Sequence, residues 1–303
     1  METRELLRRV AKGDRGALAK AITVLEDGSD GASKLLAAVR PPGRVFVLGV
    51  TGPPGTGKST LVDRLIGVYR VKGLRVGVIA VDPTSPITGG ALLGDRIRMT
   101  DHAGDDGVYI RSMASRGWSG GLSRTTSQVI QLMDTAGFDV VLIETVGIGQ
   151  SDMEVVGVSH AVIVLLMPGM GDDIQMSKAG LMEIGDVYVV NKGDLEGADQ
   201  MVVSLLSLVR TLRSRSPSVV KVSALTGDGL DRLDEAIEGM RASFSQGDRE
   251  IRLRSIRGMM VEMAKGDLVE GFLRRTGPRV EELAKQVLAG KLTVAQAARR
   301  LED

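Results

Sequence analysis

Short apolar runs at residues 45–50, 76–81, 108–110, 140–143, 161–167, 187–190 and 219–222 alternate along the chain with amphipathic stretches. Runs of this kind keep no polar face for water, so they predict strands covered on both sides. The alternation predicts a parallel sheet with helices on each face. Ahead of the sheet, residues 3–40 carry apolar positions at helical spacing, with Leu6, Leu7 and Val10 on one stripe and Ala17, Leu18, Ala21, Ile22 and Leu25 on a second. Gly13-Asp14 separates the two and makes Asp14 the expected N-cap. Behind the sheet, residues 230–240 read as a closing helix, and an Arg-rich segment over 249–275 holds Met259, Met260 and Met263, which read as core. Thr276-Gly277-Pro278 is expected to break that segment. A further helix carries Val280, Leu283, Val287 and Leu288 to a stop at Gly290, and Thr293 with Gln296 spells a capping box for the last one. The expected organisation is a helical extension over 1–43, a main α/β domain over 44–246 and a helical arm over 247–303. The arm is too small for its own core and is expected to pack on a second subunit.

Chemistry should lie beyond the carboxyl ends of such strands. Gly52-Pro53-Pro54-Gly55-Thr56-Gly57-Lys58-Ser59 follows the first run, and Thr60 leads into an amphipathic helix. A strand, then glycine, four residues and Gly-Lys-Ser, then a helix is a phosphate cradle. Backbone N–H groups turn inward onto the anion, and the first helical turn adds partial positive charge. Lys58 is expected on the β- and γ-phosphates, and the Ser59 hydroxyl on Mg²⁺. Asp82 ends the second run before Pro83-Thr84-Ser85-Pro86, and Asp95 stands where the following glycine-containing loop enters a helix. Both carboxylates are expected near the magnesium, on a switch loop. Glu144 ends the fourth run, with Gly147 three residues on. An acid there orients the metal directly or through water, and the glycine N–H senses the γ-phosphate. Gln150 is a candidate for positioning water, Arg98 for supplying charge in cis, and residues 169–178 for a third moving segment.

The base is selected elsewhere. Asn191-Lys192-Gly193-Asp194 closes the sixth run. A carboxylate at Asp194 can accept from guanine N1–H and the 2-amino group, which adenine does not offer, while the Lys192 stem covers the ring and Asn191 ties the loop. Ser223-Ala224-Leu225 after the seventh run is the expected partner loop, with the Ala224 N–H on guanine O6. A site that leaves buried polar groups unpaired by the wrong base should prefer GTP to ATP by several orders of magnitude.

Composition narrows the function classes. The formal charge is +1 and only 3% of the 303 residues are aromatic, which disfavours nucleic acid as a partner. Cysteine is absent, so disulfides, thiolate metal sites and iron–sulfur ligation are excluded. The start is charged and has no signal-peptide core, and the apolar stretch over 155–167 is too short to span a bilayer, so a cytoplasmic protein with no membrane partner is expected. His102 and His160 have no spaced ligand companions and read as structural. Trp118 reads as a partner contact or a plug onto the core.

Taken together, the phosphate loop, Val81-Asp82-Pro83-Thr84-Ser85-Pro86, Gly94-Asp95-Arg96-Ile97-Arg98-Met99, Glu144-Thr145-Val146-Gly147-Ile148-Gly149-Gln150 and Asn191-Lys192-Gly193-Asp194 closely resemble the MeaB/ArgK family. These are GTPase chaperones of cobalamin-dependent acyl-CoA mutases and include the methylmalonic aciduria type A protein. The resemblance runs nearly the whole length of the chain. It implies a P-loop NTPase fold with a C-terminal dimerisation arm, and a homodimer that binds Mg²⁺ with GTP or GDP. Lys58, Ser59, Asp82, Asp95 and Glu144 would surround phosphate and metal, and Lys178 matches a lysine implicated in coupling to the mutase. It also implies a role in gating cofactor loading onto a methylmalonyl-CoA mutase and protecting that enzyme. Asp152 and Gly193 depart from the usual family residues. Slow intrinsic turnover is expected, because no general base or arginine finger is visible. A phosphotransferase and a metal-delivery GTPase stand as alternatives.

Overall fold

Each of the seven apolar runs forms a strand in the computed structural model, which describes residues 3–28, 30–39, 43–82, 102, 104–114, 124–147, 151–170, 181–212 and 217–302. The strands are β1 Phe46–Thr51, β2 Val76–Asp82, β3 Val108–Ala114, β4 Val140–Glu144, β5 Ala161–Leu166, β6 Val187–Val190 and β7 Ser218–Lys221. They pair in parallel throughout, in the order β3-β2-β4-β1-β5-β6-β7. From β1 the chain passes to β2 and β3 on one side, returns to place β4 between β2 and β1, and then crosses to the other side through β5 to β7. The carboxyl end of β1 lies at the reversal, where ligands of open α/β sheets are held.

Side chains alternate between two buried layers. Val47, Val141 and Val162 pack on one face with Val129 and Ile130 of α5 (Arg124–Thr135) and Val155 and Val158 of α6 (Ser151–Val158). Phe46, Leu48 and Val50 pack on the other with Leu61, Leu65 and Ile66 of α4 (Lys58–Val71). Both faces of β1, β2, β4, β5 and β6 are covered, which is why these strands read as continuous apolar runs. The first layer also takes in Leu6, Leu18 and Ile22 from α1 (Thr3–Ala11) and α2 (Arg15–Glu26), followed by α3 (Asp30–Ala38). The Asp14 carboxylate caps α2 by accepting from the Ala17 N–H at 2.9 Å. Short α7 (Leu181–Ile184), α8 (Ala198–Leu212) and α9 (Leu230–Ser245) complete the cover.

The expected break at Thr276-Gly277-Pro278 is absent: α10 runs unbroken over Arg249–Leu288 with Pro278 inside it. A proline removes one N–H and strains one preceding turn, a cost of about 3 kcal/mol that a long helix absorbs when its flanks are held. Those flanks are held by Met259, buried in the sheet's first layer, and by Leu283, buried against α11 (Val294–Glu302). The Thr276 hydroxyl also donates back to the Phe272 carbonyl at 2.8 Å. The capping box forms, with the Thr293 N–H on Gln296 Oε1 at 2.9 Å and the Gln296 N–H on Thr293 Oγ1 at 3.2 Å. Of the three methionines expected in the core, Met259 is buried, Met263 is half-buried and Met260 is 64% exposed.

The proximal part of α10, expected on a second subunit, rests here on its own domain. It crosses α6 backbone to backbone, and a Cβ at Gly258 would overlap the Gly157 carbonyl. Beside the crossing, Ser255 is fully buried, and Arg254 donates to the His160 carbonyl at 2.7 Å. Gly258→Ala should therefore force the two helices apart and lower stability by about 1–3 kcal/mol. An unchanged urea midpoint for that variant would show that the crossing bears no weight. Among the described residues, no helix is long and apolar enough to cross a membrane.

Candidate functional site

The phosphate loop lies between β1 and α4, at the sheet's reversal. Gly52 and Pro53 leave the strand, Pro54 and Gly55 form the exposed bend, and Thr56 is buried with its hydroxyl on the Pro53 carbonyl at 2.8 Å. Gly57 caps α4, and Lys58, Ser59 and Thr60 make its first turn. Lys58 is only 7% exposed, and its Nζ donates to the carbonyls of Gly52 at 2.8 Å and Pro53 at 3.1 Å. The ammonium is thus stretched across the loop's own mouth, where a phosphate oxygen would compete for it.

Parallel pairing brings the acids to the same edge. Glu144 lies opposite Val50 at the end of β4, one residue before β1 ends, and Asp82 ends β2 on the far side of β4. Both are buried, and Ser59 Oγ donates to Glu144 Oε1 at 2.6 Å. The longer side chain of glutamate, where GTPases more often carry aspartate, therefore reaches the Ser59 hydroxyl directly. Thr145 and Thr51 bond through their hydroxyls at 3.0 Å immediately behind this pair. Gly147 has φ of 86° and sits on the phosphate loop: a Cβ there would overlap the Gly52 carbonyl and come within 2.5 Å of Lys58 Nζ. Any other residue would push the loop aside, so the glycine is required by close approach as well as by backbone conformation.

Hydroxyl and carboxylate oxygens form a hard donor set, which suits Mg²⁺ and not a soft metal. Two acids and one hydroxyl are too few to enclose an ion, and among the described residues no group of three or more His, Cys, Asp or Glu gathers. That fits a metal that keeps waters and takes its remaining ligands from phosphates. Asp95, Arg98, Trp118, Gln150, the Asp172 to Lys178 part of the third segment and the loop after Asp82 lie outside the described residues.

At the next strand ends the two loops expected to read the base come together. Asn191 is buried and bridges them: its Nδ2 donates to the Thr56 carbonyl at 2.7 Å, and its Oδ1 accepts from the Ala224 N–H at 3.0 Å. The Ala224 N–H, expected on guanine O6, is therefore already engaged by Asn191. Lys192 has φ of 55°, the one positive value among the described non-glycine residues, and turns the tetrad outward. Gly193 fits because a side chain there would press on Lys221 and the Val222 carbonyl. Asp194 is exposed, and its carboxyl is held below the usual range, first by the Ser223 hydroxyl and then by its own backbone N–H. A carboxylate so held is ready to accept from a base. Leu225 is 73% exposed at the rim.

His160 is structural, as its lack of companions suggested. Its Nδ1 accepts from the Val47 N–H at 2.9 Å, and burial, with Arg254 and Arg252 nearby, pushes its pKa down to about 3, so it stays neutral. Two contributors were missed from the sequence. The Thr51–Thr145 pair could have been suspected from a hydroxyl residue at each of two neighbouring strand ends. Arg64 is different: it reaches the base-reading loop, and nothing in its local pattern announces this.

A parallel sheet with a phosphate cradle at its reversal, a serine and carboxylate pair beside it and an accessible aspartate at the base-reading loop define a P-loop GTPase. The family model described as methylmalonyl Co-A mutase-associated GTPase MeaB matches residues 18–276. The chain belongs to the MeaB family. A Pyrococcus horikoshii chain is 44% identical over 293 residues, covering 94% of this chain and 86% of that one. GTPase ArgK of Escherichia coli is 39% identical over 262 residues, covering 82% of this chain and 79% of that one. A solved structure titled LAO/AO transport system kinase superposes with a TM-score of 0.72 at 27% identity, covering 99% of this chain and 96% of that one.

Proposed function

We propose that this GTPase binds Mg²⁺-GTP at the β1–α4 loop and uses its hydrolysis to gate cofactor loading and protection of a cobalamin-dependent acyl-CoA mutase of the methylmalonyl-CoA type. The observation that carries the nucleotide half is the convergence of Lys58, Ser59, Glu144 and Gly147 on one loop mouth. The family description, which names association with methylmalonyl-CoA mutase, supports the other half.

In this reading the N–H groups of residues 52 to 59 cradle the phosphates, and Lys58 leaves its two carbonyls for a γ-phosphate oxygen. Ser59, Asp82 and Glu144, with Asp95, would hold Mg²⁺, which supplies charge neutralisation between the β- and γ-phosphates. Attack by water in line at phosphorus then needs charge stabilisation more than proton chemistry, and Lys58 and the Gly147 N–H supply it. The chain would work as a homodimer in the cytoplasm. Leu268, 73% exposed on α10, and Leu288, 90% exposed at its end, are apolar positions a second subunit could cover.

The test is capture of a purified methylmalonyl-CoA mutase on the immobilised chain in the presence of GDP, of a non-hydrolysable GTP analogue, and of neither. Coupling of nucleotide to partner should change the affinity by about 5- to 150-fold between nucleotide states. Capture that ignores nucleotide, or no capture, would end the gating proposal and leave the GTPase intact. Following γ-labelled GTP in the same preparation separates hydrolysis from the rival phosphotransferase: label should appear as free phosphate and not on protein or an amino acid.

A further inference from the structure

Arg64 lies on the helix that leaves the phosphate loop, yet its guanidinium reaches the other half of the site. Its Nε donates to the Ala224 carbonyl at 2.8 Å, and a terminal nitrogen donates to the Leu225 carbonyl at 2.8 Å. From the opposite side the loop's Ala224 N–H is taken by Asn191, whose own amide is tied to Thr56. These bonds close a ring: phosphate loop, Asn191, base-reading loop, Arg64, and back along α4 to Lys58. No other described side chain joins α4 to residues 224 and 225 by a hydrogen bond.

We infer that Arg64 is a positioning residue for guanine recognition, holding the 224–225 peptide so that the Leu225 N–H is presented to guanine O6. The inference rests on the proposed binding of GTP, with its guanine at Asp194 and the 223–225 loop as expected from the sequence, and adds how the O6 end is built. Two donors in one planar fork, each on a different carbonyl, fix the orientation of a peptide plane, which one ammonium cannot do. In a trans peptide the carbonyl and the following N–H point in opposite directions, and the described residues contain no cis bond. Pinning the Ala224 carbonyl to Arg64 therefore turns the Leu225 N–H away from Arg64. That N–H has no partner among the described residues, whereas the Ala224 N–H is shared with Asn191. The loop thus offers one free donor whose direction is set by an arginine on the phosphate-binding helix.

Two analogues separate the ends of the base. 6-Thio-GDP keeps N1–H and the 2-amino group read by Asp194 but replaces O6 with a poorer acceptor; IDP keeps O6 and N1–H but lacks the 2-amino group. Calorimetry on the full chain should give the wild type a preference for GDP over each, by about 2- to 12-fold for a single hydrogen bond. In Arg64→Ala the GDP to 6-thio-GDP ratio should fall to within about twofold of unity, while the GDP to IDP ratio holds. Arg64→Lys, which keeps the charge but only one point of attachment, should fall between. An unchanged 6-thio ratio in Arg64→Ala, or equal movement of both ratios, overturns the role given to Arg64. A wild type indifferent to both analogues would instead overturn the guanine site itself.

Discussion

Lys58→Ala should lower GTP turnover by about 10²- to 10³-fold, the scale of losing one preorganised donor to a developing negative charge. The lysine is buried and held by two carbonyls of its own loop, so its ammonium is placed before nucleotide arrives and needs little reorganisation to meet a γ-phosphate oxygen. The same two carbonyls lose a donor in the variant, so a modest drop in apo stability, about 1–3 kcal/mol, should accompany the catalytic loss. Saturating GTP removes binding from the comparison, leaving kcat as the measurement. Turnover within threefold of wild type would mean that the charge is supplied from elsewhere and that the loop mouth has been misread.

Asp194→Asn should exchange guanine for xanthine. A carboxylate accepts from both N1–H and the 2-amino group; a carboxamide accepts once and donates once, which matches N1–H and the C2 carbonyl of xanthine. A site built around paired polar groups rejects a mismatched base by up to about 10⁴–10⁵, so GTP affinity should collapse by orders of magnitude while XTP binding appears. Loss of both nucleotides would point to a damaged loop, and retention of GTP would remove Asp194 from the base site. The wild type adds a pH signature. Its Asp194 carboxyl is depressed by Ser223, so the ionised form persists as pH falls and guanine preference is lost only through the lowered value. The preference for GDP over ADP, in which the shared phosphate titration cancels, should stay level down to about pH 4, where an ordinary aspartate is half protonated. In Ser223→Ala the decline should begin at higher pH.

The residues changed in these two variants are both visible from the chain alone. Lys58 and Asp194 sit in short motifs whose meaning depends on neighbours within ten residues, because a phosphate cradle and a base-reading turn are made by contiguous backbone. The five inner strands are visible for a related reason: burial on both faces writes itself as an unbroken apolar run. Asp14, Gly290 and the Thr293–Gln296 box likewise follow from the orphaned groups at helix ends, which must be satisfied locally. Pro278 shows where local reading fails. Its cost is local, but the burial of Met259 and Leu283 that holds the helix through it is not.

By itself, then, the chain's pattern determined the α/β layering, the strand positions though not every limit (the run at 108–110 became Val108–Ala114), the phosphate loop and the tetrad at Asn191, since each is written in a contiguous stretch of backbone. Tertiary structure alone decided that Glu144 reaches Ser59 across 85 positions, that α10 crosses α6 at two glycines, and that Arg64 grips a loop 160 residues away. Such contacts follow from strand order and helix crossing. Both are settled by how whole buried surfaces fit together, and no short stretch of sequence carries that information.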